Sequence, residues 1–298
     1  MEIFEEFEEF ISRYLNPLTD FGFHKIFGNK DLLIDFLNGV MREEGLITDI
    51  QYLPPEQWGD LETERKAIFD IFCITEKGDY FIVEMQRAKQ AFFRERSIYY
   101  ASLPIQKQAQ RGIWNFQLKA VYIVAILDFV LFDEQEGDKE QVVEYVHLMR
   151  ERTKTLYSDK LRFAFVELPK FRKTEEELEN HFDEWLFILK NLSRLKDRPV
   201  TIQGRIFEKL FQLAEIKRLT KEDMETYRKS ILEYHDVRSA VDYAREEGIE
   251  EGREEGREEE KIIVIQRCLQ KNMSIDDIIY LTGFSKEQII RYKESDIL

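Results

Sequence analysis

Three polar side chains interrupt two apolar stretches of the sequence. Asp70 lies in "AIFDIFCIT" (67–75), and Glu84 and Gln86 lie in "YFIVEMQ" (80–86). Both stretches are rich in β-branched and aromatic residues and predict strands. Because side chains alternate along a strand, Glu84 and Gln86 share one face. A carboxylate among apolar residues is costly unless it is paired or binds a cation, so this face is a candidate for chemistry.

The turn between the two strands decides whether the two acids meet. A three-residue loop at 76–78 puts Gly78 in the left-handed position of a type I turn with a bulge. Under this register Asp70 lies directly opposite Glu84, with Cβ atoms about 5 Å apart. A two-residue loop would bring Asp70 across from Met85, on the other face. The position of the glycine favours the first register.

Two carboxylates this close repel each other unless a cation lies between them or one is protonated. Mg²⁺, or Mn²⁺ in its place, prefers oxygen ligands, so Asp70, Glu84 and the backbone carbonyl of Met85 are the predicted ligands. Such an ion lowers the pKa of a bound water and shields a phosphodiester, which assists hydrolysis of a nucleic acid. Gln86 would orient the attacking water, but its neutral side chain cannot act as a cationic base. The alternative is that Asp70 and Glu84 are solvated charges at strand ends.

Charge is unevenly spread along the chain. The net charge of −15 argues against a general polyanion binder. Residues 84–119, however, contain seven basic and two acidic residues, and a helix is predicted within them at 91–110. This basic helix follows the candidate site directly and would hold substrate phosphates.

Hydrophobic periodicity predicts strands alternating with helices in the first part of the chain and helices in the second. The predicted helices are 1–15, 31–41, 91–110, 175–192, 202–218 and 221–245. The predicted strands are 46–53, 67–75, 80–86, 120–132, 142–149 and 161–168. The continuous apolar run at 120–132 predicts a central strand covered on both faces.

The C-terminal part is acidic and then becomes apolar again. Residues 246–260 contain nine Glu and two Arg, with glycine at every fourth position from Gly248. This pattern predicts a solvated helical linker, and a close helix contact in a dimer is the alternative. Residues 261–298 predict three short helices, with capping signals at Ser274 and Ser285. They resemble a helix-turn-helix, and a small bundle for oligomer contacts is equally consistent with the pattern.

The sequence also bears on location and on bound cofactors. The N-terminal segment is acidic, unlike a signal peptide, and the longest apolar run is too short to cross a bilayer and contains Asp128. Cys73 and Cys268 fit no metal spacing. The sequence contains no phosphate-binding loop and no dinucleotide-binding glycine motif. We therefore expect a cytoplasmic protein that does not associate with membranes.

Several segments, in order, resemble a known family. They are "NPLTDFGFHKIFG", "ERKAIFD", "VEMQ", "FFRERSIYYASLPIQKQ", "AVYIVAILDF" and the tail "MSIDDIIYLTGFSKEQI". The "D…VEMQ" pair resembles the Asp…Glu-x-Lys signature of the PD-(D/E)XK nuclease superfamily. The ordered set is most similar to its branch of nuclease family transposases, which are related to the recombination-promoting Rpn-type nucleases.

The resemblance implies an α/β fold with a restriction-endonuclease-like αβββαβ core, a mixed sheet flanked by helices, and a C-terminal helical extension. It implies Mg²⁺-dependent cleavage of double-stranded DNA, linked to recombination or mobile elements, with Asp70 and Glu84 as metal ligands. Gln86 occupies the place of the superfamily's Lys, so a basic side chain is absent from that position. A DNA-binding or regulatory protein that retains the fold with little or no turnover is the alternative.

The same resemblance suggests residues for nucleic-acid binding. Arg96 and Tyr100 match an "R…YY" pattern in the helix after the site, Arg94 precedes them, and Lys66 matches the "RK" before the Asp strand. For Tyr100, packing of the helix on the sheet is an equal alternative. His24 is expected to pack within its own helix.

We therefore expect four segments. They are a nuclease-like core at 1–172, a helical extension at 173–245, the acidic linker at 246–260 and a small helical module at 261–298. Double-stranded DNA is the expected partner, and a homodimer through the C-terminal helices is a second expectation.

Overall fold

A computed structural model describes residues 12–41, 46–57, 67–109, 114–132 and 140–294. The chain divides into two compact units, residues 1–238 and 239–298. Most of the predicted helix 1–15 and the predicted contact residue Lys66 lie outside the described residues. The predicted boundaries at 172, 245 and 260 stay predictions.

The first unit contains eight described strands and the helices that cover them. The strands are β1 (Ile50–Tyr52), β2 (Glu56–Gln57), β3 (Ala67–Ile68), β4 (Ile71–Thr75), β5 (Tyr80–Gln86), β6 (Val121–Leu127), β7 (Val143–Met149) and β8 (Leu156–Glu167). The helices are α1 (Asp20–Phe27), α2 (Lys30–Val40), α3 (Phe93–Lys107), α4 (His181–Asn191) and α5 (Arg205–Ala214). Helix α6 (Lys221–Gln270) begins in this unit, and α7 (Ile275–Thr282) and α8 (Lys286–Glu294) follow it.

Six strands form one mixed sheet in the order β1-β4-β5-β6-β8-β7, and β2 pairs with β3 in a small separate sheet. The β1, β4 and β5 strands are antiparallel neighbours, and α3 connects β5 to the parallel strand β6. The predicted order αβββαβ and the mixed sheet flanked by helices are therefore observed. The central position of β5 explains why its middle residues are all buried.

The register predicted for the β4–β5 hairpin is confirmed. Ile71 pairs with Val83, and the pairing continues in step to Ile74 and Tyr80. Gly78 has φ +85°, in the left-handed region, as the three-residue loop requires. The same alignment, extended by one position, brings Asp70 opposite Glu84.

The prediction of one continuous strand at 67–75 is wrong. Tyr52 pairs with Cys73 and Glu56 pairs with Ile68. Between these two pairs lie three residues on one segment (53–55) but four on the facing segment (69–72). The extra residue interrupts the ladder, so the segment divides into β3 and β4 and bends at Asp70. A tertiary pairing with β1 and β2 therefore decides the local shape around this acid.

Other predicted bounds also change. The apolar run 120–132 gives a fully buried strand, as predicted, but the strand ends at Leu127. The predicted strand 46–53 contains only three strand residues, and β8 is longer than the predicted 161–168. The segment predicted as a helix at 221–245, an acidic linker and a further helix is one helix, α6.

Each face of the sheet has its own apolar core. One face, with Phe72, Ile82 and Ile123, packs against α3. The other face, with Cys73 and Val83, packs against α1, α2, α4, α5 and the first turns of α6. Because Glu84 lies two residues beyond Ile82 on β5, its side chain is on the α3 face.

The second unit has a small core of its own. Ile265, Cys268, Ile278 and Ile289 are buried together. Ser274 accepts the amide of Asp277 at 3.2 Å, and Ser285 forms the predicted capping box with Gln288. Among the described residues, a Cβ added at Gly248, Gly252 or Gly256 would meet no atom within 4 Å, so this stripe of glycines on α6 has no close neighbour there. Among the described helices of the chain, none is both long and apolar enough to cross a membrane.

Candidate active site

Asp70 and Glu84 are direct neighbours at the end of the sheet where β4 begins and β5 ends. The amide of Asp70 donates to Oε1 of Glu84 at 3.3 Å. In return, Oδ2 of Asp70 accepts the amide of Met85 at 2.8 Å. These two bonds continue the hairpin beyond its last ladder pair, and they hold the Asp70 carboxylate beside the backbone of Met85 and the Glu84 carboxylate beside the backbone of Asp70.

Burial shifts the pKa values of both acids in the same direction. Glu84 is only 5% exposed. Burial raises the pKa of Glu84 to about 8, and the negative charge of Asp70 adds to the effect. Burial also raises the pKa of Asp70, while the amide of Met85 opposes that rise. A cation bound between the two acids would remove much of this cost, since it favours the ionised form of both.

Gln86 contacts Glu84 directly, as its place two residues further along the strand predicts. Its Nε2 donates to Oε2 of Glu84 at 3.4 Å. The contact fixes the orientation of the carboxamide, so that the Oε1 atom of Gln86 remains as an acceptor. The neutral group cannot supply the positive charge that a lysine at this position would supply.

The donor set fits a small hard cation. Within the part of the chain that the structure describes, no cluster of three or more His, Cys, Asp or Glu side chains could hold a metal ion. Mg²⁺ is commonly bound through one or two carboxylates, with waters and substrate phosphates completing its shell. Asp70 and Glu84, with the Met85 carbonyl as the predicted third ligand, match that mode. A metal that needs four protein side chains does not fit here.

His24 was expected to pack within its helix, but it reaches the site. Its Nε2 lies 3.1 Å from the backbone carbonyl oxygen of Asp70. Its Nδ1 lies 2.9 Å from the carbonyl oxygen of Asp20, so His24 connects α1 to the bend that carries Asp70. Charges on His24 and Asp20 both act on the carboxyl of Asp70. The only sequence signal for this contact was the quoted segment "NPLTDFGFHKIFG", whose periodicity indicates packing and not a site.

The residues predicted for nucleic-acid binding differ in where they lie. The Arg96 guanidinium is on α3, and its positive charge partly opposes the rise that burial causes in the pKa of Glu84. Tyr100, one turn further along, packs its ring edge-on against Phe69 at 5.1 Å. Arg94 instead lies over the Phe132 ring at 4.7 Å. Of the three described residues in this set, Arg96 is the one whose charge acts on a carboxylate of the site; the DNA contacts themselves stay predictions.

Comparison with known proteins agrees with the geometry. The family model described as PD-(D/E)XK nuclease family transposase matches residues 17–244, more than half of the chain. The match includes α1, both acids and α3, and it is consistent with the relation to Rpn-type nucleases inferred from the sequence segments. No curated protein and no solved structure matches this chain. The chain therefore belongs to the PD-(D/E)XK nuclease family transposases.

Proposed function

We propose that this protein is a divalent-metal-dependent DNA endonuclease that uses Mg²⁺, with Mn²⁺ as a substitute, in recombination or the movement of mobile elements. The observation that carries the proposal is the pair of bonds between Asp70 and the Glu84–Met85 segment. It holds two carboxylates at one buried point, where both are costly to ionise without a cation. Membership of a nuclease family supports the same reading.

Each residue of the site has a defined part in this proposal. Asp70, Glu84 and the Met85 carbonyl supply oxygen ligands to the cation. The bound cation would shield the charge of the phosphodiester and lower the pKa of a coordinated water. Gln86, oriented by its bond to Glu84, accepts a hydrogen bond from the attacking water and so aligns it with the phosphorus.

Double-stranded DNA is the proposed substrate because the helix after the site is basic and covers the same face. Arg96 and Tyr100 of α3 are the first proposed contacts, and Arg94 and Lys66 are further proposed contacts. The net charge of −15 opposes binding at a distance, so we expect affinity that falls steeply with salt. A cytoplasmic location belongs to this proposal, as does the homodimer through the C-terminal helices.

The neutral Gln86 favours a second candidate function. Because no positively charged side chain stands at position 86, the protein would act as a DNA-binding regulatory protein that cleaves DNA slowly or not at all. The two candidates share the fold and the DNA contacts. They differ in whether phosphodiester bonds are broken.

A plasmid assay distinguishes the two functions. Supercoiled DNA is incubated with wild type, Asp70→Ala and a control, Asp159→Ala, which removes an exposed acid on β8. We expect nicking by wild type and the control in Mg²⁺ or Mn²⁺, none with a chelator, and none by Asp70→Ala. Equal nicking by Asp70→Ala contradicts the proposed site. DNA retardation without cleavage in either metal would favour the regulatory function.

A further inference from the structure

Two buried nitrogen atoms of Arg96 lack a hydrogen-bond acceptor in the part of the chain that the structure describes. Neither Nε nor Nη2 has a hydrogen-bond partner among the described residues, although both are shielded from solvent. Unsatisfied donors in such a position are uncommon in native proteins, because each forfeits its hydration without compensation. In a charged guanidinium the cost is larger, so the two groups indicate an anionic ligand.

The rest of the Arg96 side chain is held in place. Its Nη1 donates to Oε1 of Gln90 at 2.5 Å. The guanidinium also lies 5.1 Å from the Phe93 ring and 5.8 Å from the Tyr100 ring. The Tyr100 ring in turn packs on Phe69, the residue before Asp70. The faces of the two rings attract the guanidinium but are not conventional hydrogen-bond acceptors. They therefore hold the group in place without satisfying Nε and Nη2.

The two free donors form one face of the guanidinium. With Nη1 committed to Gln90, Nε–H and one N–H of Nη2 run side by side, which is the fork that binds two oxygens of a phosphate or carboxylate. The charge of Arg96 acts on Glu84 but does not satisfy these donors within the described residues. The fork thus belongs to a guanidinium whose charge reaches the acids, and it keeps its capacity for an incoming anion.

We propose that Arg96 binds the scissile phosphate through Nε and Nη2 and supplies, from α3, the positive charge that Gln86 cannot supply from β5. The proposal rests on the proposed nuclease function. The phosphate would then contact Arg96 on the α3 side and the cation held by Asp70 and Glu84 on the strand side. Arg96 is in this sense a substrate-binding residue that stabilises the charge developing on the phosphate oxygens.

The test uses the full-length protein and four variants. Arg96→Gln removes the fork, and Arg96→Lys keeps the charge without it. The double variant Arg96→Gln with Gln86→Lys returns a cation beside Glu84, where Gln86 now lies. The control, Arg205→Gln, removes an exposed guanidinium from α5, on the other face of the sheet.

We expect Arg96→Gln to slow plasmid cleavage about 10²-fold or more, as loss of one charge-stabilising donor does in other enzymes. Arg96→Lys and the double variant should each recover part of that loss, and the control should match wild type. Binding of a labelled duplex, followed against salt concentration in Ca²⁺, should lose about 0.9 from its logarithmic slope in Arg96→Gln. A residue that only supports the fold would not change that slope, nor would its loss be rescued from position 86.

The outcomes separate the two proposals. If wild type cleaves, Asp70→Ala does not, and Arg96→Gln cleaves at the wild-type rate, the role of Arg96 is overturned and the nuclease function stands. If wild type cleaves DNA in neither metal, the nuclease function is contradicted. Duplex binding then tests the phosphate contact separately, and a salt dependence in Arg96→Gln equal to that of wild type overturns it. If Arg96→Gln lowers the melting temperature, Arg96→Lys is the variant that tests the contact. Cleavage by Arg96→Lys at the wild-type rate would contradict a bidentate contact.

Discussion

The backbone amide of Asp70 donates to the carboxylate of Glu84 at 3.3 Å, while the carboxylate of Asp70 accepts the amide of Met85 at 2.8 Å. The proposed metal ligands therefore also extend the β4–β5 hairpin past its last ladder pair. Substitutions at either acid should therefore change both the stability of the fold and the chemistry of the site.

Asp70→Ala should destabilise the protein more than Asp70→Asn does. The alanine leaves the buried amide of Met85 without its acceptor, which costs about 1–3 kcal/mol. The asparagine retains an acceptor oxygen and should cost clearly less. Both should abolish metal-dependent cleavage, because neither provides an ionised ligand. Urea unfolding of the three proteins tests this, and equal losses in both variants would contradict the Met85 bond as the cause.

Glu84 should make stability depend on pH. Its pKa rises from a usual value of 4.5 to about 8 in the folded state, so the folded protein holds a proton that the unfolded chain has lost. The free energy of unfolding should therefore decrease as pH rises from about 4.5 to 8, by an amount on the order of a few kcal/mol. Glu84→Gln removes this titration and should gain stability relative to wild type over that range.

Unfolding of wild type and Glu84→Gln at pH 5 and pH 9 measures the difference. Added Mg²⁺ at pH 9 should stabilise wild type, because it binds the ionised acids of the folded state, and should stabilise Glu84→Gln less. Parallel pH profiles for the two proteins would show that Glu84 is not the titrating group.

Gly78→Ala should weaken the hairpin that sets the register. At φ +85° a side chain is strained, and a Cβ there would lie 3.1 Å from the Cε atom of Lys119. We expect a loss of about 1–2 kcal/mol in the free energy of unfolding. Gly204→Ala is a matched control, since its φ is negative and its added Cβ meets only ordinary contacts. Equal effects of the two substitutions would contradict the turn argument.

Gly252→Ala should stabilise α6. An added Cβ meets no atom within 4 Å, and glycine in a helix costs about 1 kcal/mol relative to alanine. Hydrogen exchange of the amides around residue 252 should slow in the variant. Light scattering provides the second measurement: if the glycine stripe is instead a close contact between two copies, the substitution should shift a dimer towards monomer.

Lys170→Met should be strongly destabilising. Lys170 contacts Oε2 of Glu167 at 2.7 Å, and the two side chains are 6% and 0% exposed. Removing one partner of a buried pair leaves an uncompensated charge, at a cost of about 3–5 kcal/mol. Lys209→Met breaks the exposed pair with Asp31 and should cost about 1 kcal/mol or less. Similar losses of stability in the two variants, measured by thermal unfolding, would contradict the role of burial.

Local rules in the sequence were sufficient for much of the site. Apolar stretches rich in β-branched and aromatic residues identified β4 and β5, because a strand covered on both faces of a sheet is apolar along nearly its whole length. Gly78 fixed the loop length, because only glycine adopts its φ readily, and the loop length fixed the register. Asp70 opposite Glu84, with Gln86 beside it, therefore followed from the order of residues alone.

Other parts of the site depend on segments distant in the chain, and only the tertiary structure decided them. The bend at Asp70 arises because residues 53–55 face the four residues 69–72, which leaves one residue without a partner. This mismatch depends on which two segments pair, and neither segment shows it by itself. His24 reaches Asp70 because α1 packs against the sheet beside Asp70. The charge of Arg96 acts on Glu84 because α3 covers the sheet face that carries Glu84. Periodicity identifies which face of a helix is buried, but the partner it meets is set by the packing of the whole core. The sequence alone thus determined which two acids meet, and the tertiary packing decided which side chains surround them.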